Sequence, residues 1–141
     1  MRAATRAGVL LDTGVFVSLL DESAPGHDDA MRWLAASSAR LHTVEAVLTE
    51  TAFFLPHRQR AAVADFVEVG KVVVHHHDSA AYRRIAAILR KYADLGPDWA
   101  DASLVWLAEQ SGIHHIATLD VRDFSTYRIH GRSKFLLETI A

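Results

Sequence analysis

The sequence predicts an α/β sandwich built around a parallel sheet, and three observations lead there. Short apolar runs such as Val9-Leu10-Leu11 and Lys71-Val72-Val73-Val74-His75 have the length and composition of buried strands. Amphipathic stretches of helical period alternate with those runs along the chain. The 141 residues are 50% hydrophobic and 23% charged, with only seven Gly and three Pro, which suits one globular domain over residues 1–141 with a core of its own. No repeat, linker or low-complexity tract divides it.

In chain order, the run at Val9–Leu11 stops at Asp12-Thr13-Gly14, and Val15 to Leu20 follows at helical spacing. Asp21-Glu22-Ser23-Ala24-Pro25-Gly26 predicts a turn. His27 to Ala36 reads as an amphipathic helix with Ala30, Met31, Trp33 and Leu34 turned inward. Arg40 to Val44 is a second strand, and Glu45 to Leu55 a helix with Val47, Leu48, Ala52 and Phe53 buried, ended or bent by Pro56. Gln59 to Val69 is a helix closed by Gly70, and Lys71 to His75 a strand. Asp78-Ser79 caps a helix from Ala80 to Tyr92, with Tyr82, Ile85, Ala86 and Leu89 on one face. The next helix starts near Pro97 and ends before Gly112. His115 to Leu119 is another strand, and Phe135-Leu136-Leu137 reads as an edge strand.

A formal net charge of −2 argues against a protein that holds nucleic acid by bulk charge, though a cation in a carboxylate site would reverse the local sign. The absence of cysteine excludes disulfides, thiolate zinc sites and cysteine catalysis. No apolar run approaches the ~20 residues of a membrane span, so a soluble cytoplasmic protein without membrane association is expected.

The chemistry lies in the acids. In an open parallel sheet the functional crevice forms beyond the carboxyl ends of the strands, and Asp12 and Asp120 each follow an apolar strand. Asp98 and Asp101 stand in the first turn of the helix that opens at Pro97. Glu50 lies within an apolar helix beside Val47, Leu48, Phe53 and Phe54. Each acid alone has a plainer explanation: a cap for Asp12, a dipole contact for Asp98 and Asp101, a turn for Asp120, a solvated helix face for Glu50. Together, carboxylates converging on one edge repel one another unless a cation or a proton intervenes. Oxygen-only ligands suit Mg²⁺ or Mn²⁺ rather than zinc, and phosphodiester hydrolysis is the reaction that follows most directly.

Leu10-Leu11-Asp12-Thr13-Gly14, Thr49-Glu50, Ala100-Asp101-Ala102-Ser103 and Ala117-Thr118-Leu119-Asp120 resemble, in order and spacing, the four acidic signatures of PIN domains. The segments Thr43–Glu50 and Thr118–Arg128 look most like the VapC toxin branch. The resemblance spans Val9 to about Arg128. It implies a three-layer α/β/α sandwich with a central parallel sheet, Mg²⁺- or Mn²⁺-dependent endoribonuclease activity on an RNA substrate, and a type II toxin neutralised by a VapB-like antitoxin. By that resemblance Asp12, Glu50, Asp101 and Asp120 match the metal-binding, catalytic acids, and Asp98 and Asp123 match acids that stand beside them. Thr13 and Thr118 are placed to orient the carboxylates. A homodimer is expected. Two alternatives stay open: a PIN nuclease of RNA maturation, and a catalytically silent module that binds an antitoxin.

Other acid-pocket folds fit less well. Gly14 occupies the position where a haloacid-dehalogenase-type phosphatase would place a second Asp, and a receiver domain would end its third strand in Asp rather than in His75-His76-His77. Those three histidines point to alternate faces if extended, which disfavours one shared ion. Arg58, Arg60, Arg122, Arg128, Arg132 and Lys134 are candidates for phosphate contacts, with Arg122 and Arg128 foremost. Trp33, Trp99 and Trp106 read as core or interface residues rather than as stacking platforms for bases.

Overall fold

Val9, Leu10 and Leu11 are buried because their strand is the middle one of five. The computed structural model describes residues 8–140. The sheet contains β1 (Gly8–Leu11), β2 (Arg40–Val44), β3 (Val72–His75), β4 (His115–Ala117) and β7 (Leu136–Glu138), in the order β3-β2-β1-β4-β7. Every pairing is parallel, with Leu10 opposite His42 and Ile116, and Ile116 opposite Leu137. The expected edge strand is therefore real, and it closes the sheet beside β4. A strand flanked on both sides and covered on both faces has no polar face, which is why β1 and the end of β4 carry apolar residues without alternation. Thr43 at the end of β2 supplements the ladder by donating its hydroxyl to the Leu11 carbonyl at 2.9 Å.

Seven α-helices, counted among the described residues, cover the sheet: α1 (Thr13–Leu20), α2 (His27–Ala36), α3 (Glu45–Phe54), α4 (Ala61–Glu68), α5 (Ser79–Lys91), α6 (Trp99–Ser111) and α7 (Val121–Thr126). This is the α/β sandwich with a central parallel sheet that the sequence predicts. Its buried side chains, among them Phe16, Leu104, Leu107, Ile116 and Phe124, form one continuous core. The most thoroughly buried helix is α6, in which Ala100, Ala102 to Ala108 and the ring of Trp106 are all inside. Gly112 ends it at φ 75°, a left-handed position that favours glycine, and donates its N–H to the Ala108 carbonyl. Beyond α7 the chain makes a small antiparallel hairpin of β5 (Arg128–Ile129) and β6 (Ser133–Lys134), a region with little sequence signal.

Several boundaries and faces differ from the sequence expectation. The helix expected from Gln59 is a short 3-10 turn at His57–Gln59 followed by α4, and Pro97 stands outside α6, one residue before its Asp98 cap. Met31, Phe53 and Tyr82, all expected to face inward, are 44%, 73% and 52% exposed. The core faces of these helices are formed instead by Ala30 on α2, Val47 and Thr51 on α3, and Ala81, Ile85 and Ile88 on α5.

A half-buried ion pair fastens α5 to α6. Arg84 donates through Nε and Nη2 to the two oxygens of Glu109 at 2.6 and 2.8 Å, and the His130 backbone N–H donates to the same carboxylate at 2.7 Å. The Glu109 side chain is only 6% exposed, and although burial raises its carboxyl, the hydrogen bonds and charge of Arg84 together with the His130 N–H outweigh it and hold the carboxyl below the ordinary value. Arg84→Ala strands that carboxylate with one remaining donor, and is expected to cost about 2 kcal/mol of stability, as a lower midpoint in urea denaturation.

Candidate metal centre

Asp12 comes directly after β1, at the carboxyl end of the sheet, and its backbone N–H donates to the Ala117 carbonyl at the end of β4. Its side chain is held twice. Oδ1 accepts from the Thr13 N–H at 2.8 Å as the cap of α1, and Oδ2 accepts from the Thr118 hydroxyl at 2.6 Å. The expectation that Thr118 orients a carboxylate is realised here. The Thr118 hydroxyl also accepts from the Asp120 N–H at 2.9 Å, so one side chain organises both strand-end acids. Burial pushes the Asp12 carboxyl up to about 6, against the pull of these hydrogen bonds.

Asp98 caps α6 by accepting the Asp101 N–H at 2.8 Å, and Asp120 caps α7 by accepting the Asp123 N–H at 3.2 Å. These caps explain both the local sequence and the location of the acids. A helix start needs acceptors for its free N–H groups, and here two such starts face the strand ends. Asp101 is the most perturbed acid. Burial first, then the Asp98 and Asp12 carboxylates, raise it to about 8, although the Tyr127 hydroxyl donates to its Oδ2 at 3.0 Å. Glu50 is raised by burial and by the neighbouring Asp98. Asp123 is raised by burial and by its contact with Asp120.

All six acids singled out in the sequence, Asp12, Glu50, Asp98, Asp101, Asp120 and Asp123, line one cleft of about 870 Å³. Oxygens of Asp101, Asp120 and Asp123 lie within 4.8 Å of one another. The structure thus brings Asp123 within ligand distance of Asp101 and Asp120, with Asp12 and Glu50 lining the same cleft. The Thr13 hydroxyl, close enough to Glu50 to draw its carboxyl down a little, has no well-formed hydrogen-bond partner though buried. An all-carboxylate donor set, with Asp12, Glu50, Asp101 and Asp123 raised and a buried unpaired hydroxyl beside them, fits a hard divalent cation such as Mg²⁺ or Mn²⁺.

Tyr127 is the functional contact that sequence reasoning missed. It is wholly buried, packs edge-on against Phe124 and Tyr92, and spends its hydroxyl on Asp101. The contact joins residues 26 positions apart, and no local pattern announces it. Tyr127→Phe keeps the ring and removes the donor. It is expected to lower activity by about three- to tenfold and to shift the pH dependence of metal binding upward, since Asp101 loses a group that favours its charged form; isothermal titration with Mn²⁺ at several pH values checks this.

The remaining candidates are less engaged. Arg128 spends its guanidinium on the carbonyls of Ser125, Thr126 and Tyr127, and Arg60 donates to the Ala52 carbonyl, so both brace loops. Arg122 is exposed beside Asp123. In the His triplet, His75 pairs its Nε2 with His42 Nδ1 at 2.8 Å, while His77 lies edge-on to Trp106. The three do not converge on one ligand position.

The family model of the PIN domain matches residues 9–129. Among solved structures, the fold is similar to Mycobacterium tuberculosis VapC20, described as a sarcin-ricin loop cleaving toxin, with TM-score 0.74 and 20% identity over 81% of this chain and 91% of that chain. It is also similar to a toxin–antitoxin complex from Klebsiella pneumoniae (TM-score 0.67, 16% identity, 94% of this chain and 98% of that chain). A DNA-bound VapBC complex from Salmonella typhimurium gives TM-score 0.61 and 19% identity over 95% of this chain and 98% of that chain. At these identities the likenesses establish the fold. No curated protein matches the sequence significantly. No helix among the described residues is long and apolar enough to cross a membrane.

Proposed function

The chain belongs to the PIN domain family, whose members are nucleases, and from that premise we propose that it is a Mg²⁺- or Mn²⁺-dependent endoribonuclease, the toxin of a type II pair held inactive by a VapB-like antitoxin. The observation that carries the reading is the convergence of six carboxyl groups in one cleft at the carboxyl end of the sheet, with Asp12 raised mainly by burial and Asp101 by burial and by the Asp98 and Asp12 carboxylates. Carboxyls crowded in this way without a cation cost stability, and a protein retains such a cost where the charges serve a ligand.

Asp12, Glu50, Asp101 and Asp120 would hold the ion, with Asp123 within reach of Asp101 and Asp120 and Asp98 beside Asp101. When bound, a divalent cation supplies Lewis-acid polarisation of a phosphate oxygen and charge compensation for the scissile phosphodiester. The chain's own groups do the positioning. Thr118 and the Thr13 N–H fix the Asp12 carboxylate, Tyr127 fixes Asp101, and the cap to Asp123 fixes Asp120. In the metal-free protein Asp101 holds a proton at neutral pH, which limits repulsion within the cluster.

The toxin reading is supported by the fold the chain shares with a solved VapC toxin and with two solved toxin–antitoxin complexes. A homodimer belongs to the same proposal. Purified protein is expected to cut single-stranded RNA in Mn²⁺ and to lose all cleavage in EDTA, with recovery on adding Mn²⁺ back. Co-expression of the product of an adjacent small gene should suppress growth arrest in the host. Cleavage that survives EDTA would refute metal dependence, and arrest that no neighbouring product relieves would refute the toxin assignment.

A further inference from the structure

Beside the acid cleft runs a second groove of about 700 Å³, walled by Phe53, Phe54, Tyr82 and Trp99. Resting on the endoribonuclease reading, we propose that this groove is a nucleobase platform, where an unpaired base next to the cut phosphate stacks on Trp99 with Tyr82 and Phe54 flanking it. The two hollows adjoin, since Glu50 and Phe54 line both. Trp99 follows Asp98 and precedes Asp101 in the first turn of α6, so its ring and the acids are presented by the same few residues. A phosphate at the acids places the base of the same or the adjacent nucleotide at the ring.

Exposure and charge support this occupant. Trp99 is 50% and Tyr82 52% exposed, with ring centres 6.4 Å apart, whereas Trp106 is buried. The cleft is lined by seven acids, counting Asp21, and by no Lys or Arg, and the groove adds Glu45 and His77 and likewise has no Lys or Arg. Phosphate contacts to basic side chains, the usual source of affinity for nucleic acid, are therefore missing from the walls. Stacking is the interaction these walls offer. It tolerates any base, and alanine substitution of a stacking ring weakens binding by roughly 5- to 150-fold. Single-stranded RNA, whose bases can splay out of a helix, is the ligand class that such rings recognise.

The test combines kinetics and fluorescence on the full chain. Trp99→Ala is expected to raise KM for a single-stranded oligoribonucleotide about tenfold, with kcat changed less than twofold, and Trp99→Phe to restore most of the loss. Because Trp99 is half exposed, the Ala variant should melt within a few degrees of wild type. In the Asp101→Asn protein with Mn²⁺, tryptophan fluorescence should be quenched by an oligoribonucleotide but not by an abasic oligomer of equal length and charge. Equal quenching by both oligomers would overturn the platform, as would an unchanged KM in Trp99→Ala. Loss of a dimer, or of antitoxin binding, with RNA kinetics intact would overturn it too, by marking the groove as a protein interface. In each of these cases wild-type cleavage of RNA leaves the endoribonuclease reading standing. A wild-type protein that cuts no RNA under any metal condition would instead defeat that reading.

Discussion

Asp101→Asn is expected to abolish RNA cleavage, by at least about a hundredfold, while making the metal-free protein more stable at pH 8. The two effects have one origin. Asp101 lies against Asp98 and Asp12 in a partly buried site, and its carboxyl is raised to about 8. Charging it therefore costs the folded state free energy that an amide does not incur. The Asn side chain has the shape of Asp and still offers an oxygen to the Tyr127 hydroxyl, so packing around α6 is retained. The lost negative oxygen is what a divalent cation needs, and its removal weakens both metal binding and transition-state stabilisation. The stability gain should be about 1 kcal/mol after allowance for solvent screening, or about 3 °C in a melt for a domain of this size. Cleavage near the wild-type rate would remove Asp101 from the site. Inactivity with a large loss of stability would show a folding defect instead.

The acids were legible in the sequence because each sits at a chain position with a local meaning. Asp98 and Asp120 are helix caps, Asp101 is in a first turn and Asp12 follows a buried strand. Parallel topology then brings these positions to one edge, so order along the chain becomes proximity in space. What could not be read were relations that only packing creates. Tyr127 reaches Asp101 from beyond α7, and the closeness of Asp123 to Asp101 depends on how α7 turns back over the strand ends. Helical periodicity also misassigned Phe53 and Tyr82. The hydrophobic pattern of α3 and α5 is broad enough to contain two apolar faces, one against the sheet and one toward the groove. An apolar residue that serves a ligand looks, in sequence, like one that serves the core.

The metal-free protein should lose stability as pH rises from 7.5 to 8.5, and Mn²⁺ should cancel the loss. The sign follows from proton counting. A carboxyl whose folded-state value is raised binds more protons in the native than in the unfolded chain between the two values, so stability falls as pH climbs through that interval. For Asp12 the interval runs from the ordinary carboxylate value to about 6, and for Asp101 to about 8. Burial acts oppositely on His42, His75 and His77, lowering all three. They make stability rise with pH, an effect that fades only about one unit above 6.5, where the unfolded histidines have lost their protons. Above that point Asp101 dominates. Its shift, discounted for partial exposure, predicts a loss of about 0.5 kcal/mol between pH 7.5 and 8.5, visible as a fall of about 1–2 °C. A cation that displaces the Asp101 proton removes the repulsion, so stabilisation by Mn²⁺ should grow with pH over the same window. The Asp101→Asn variant should show a flat metal-free profile there. Differential scanning at several pH values, with Mn²⁺ or EDTA, separates these cases: a profile that rises between pH 7.5 and 8.5 without metal would mean that the carboxyls are not crowded as described.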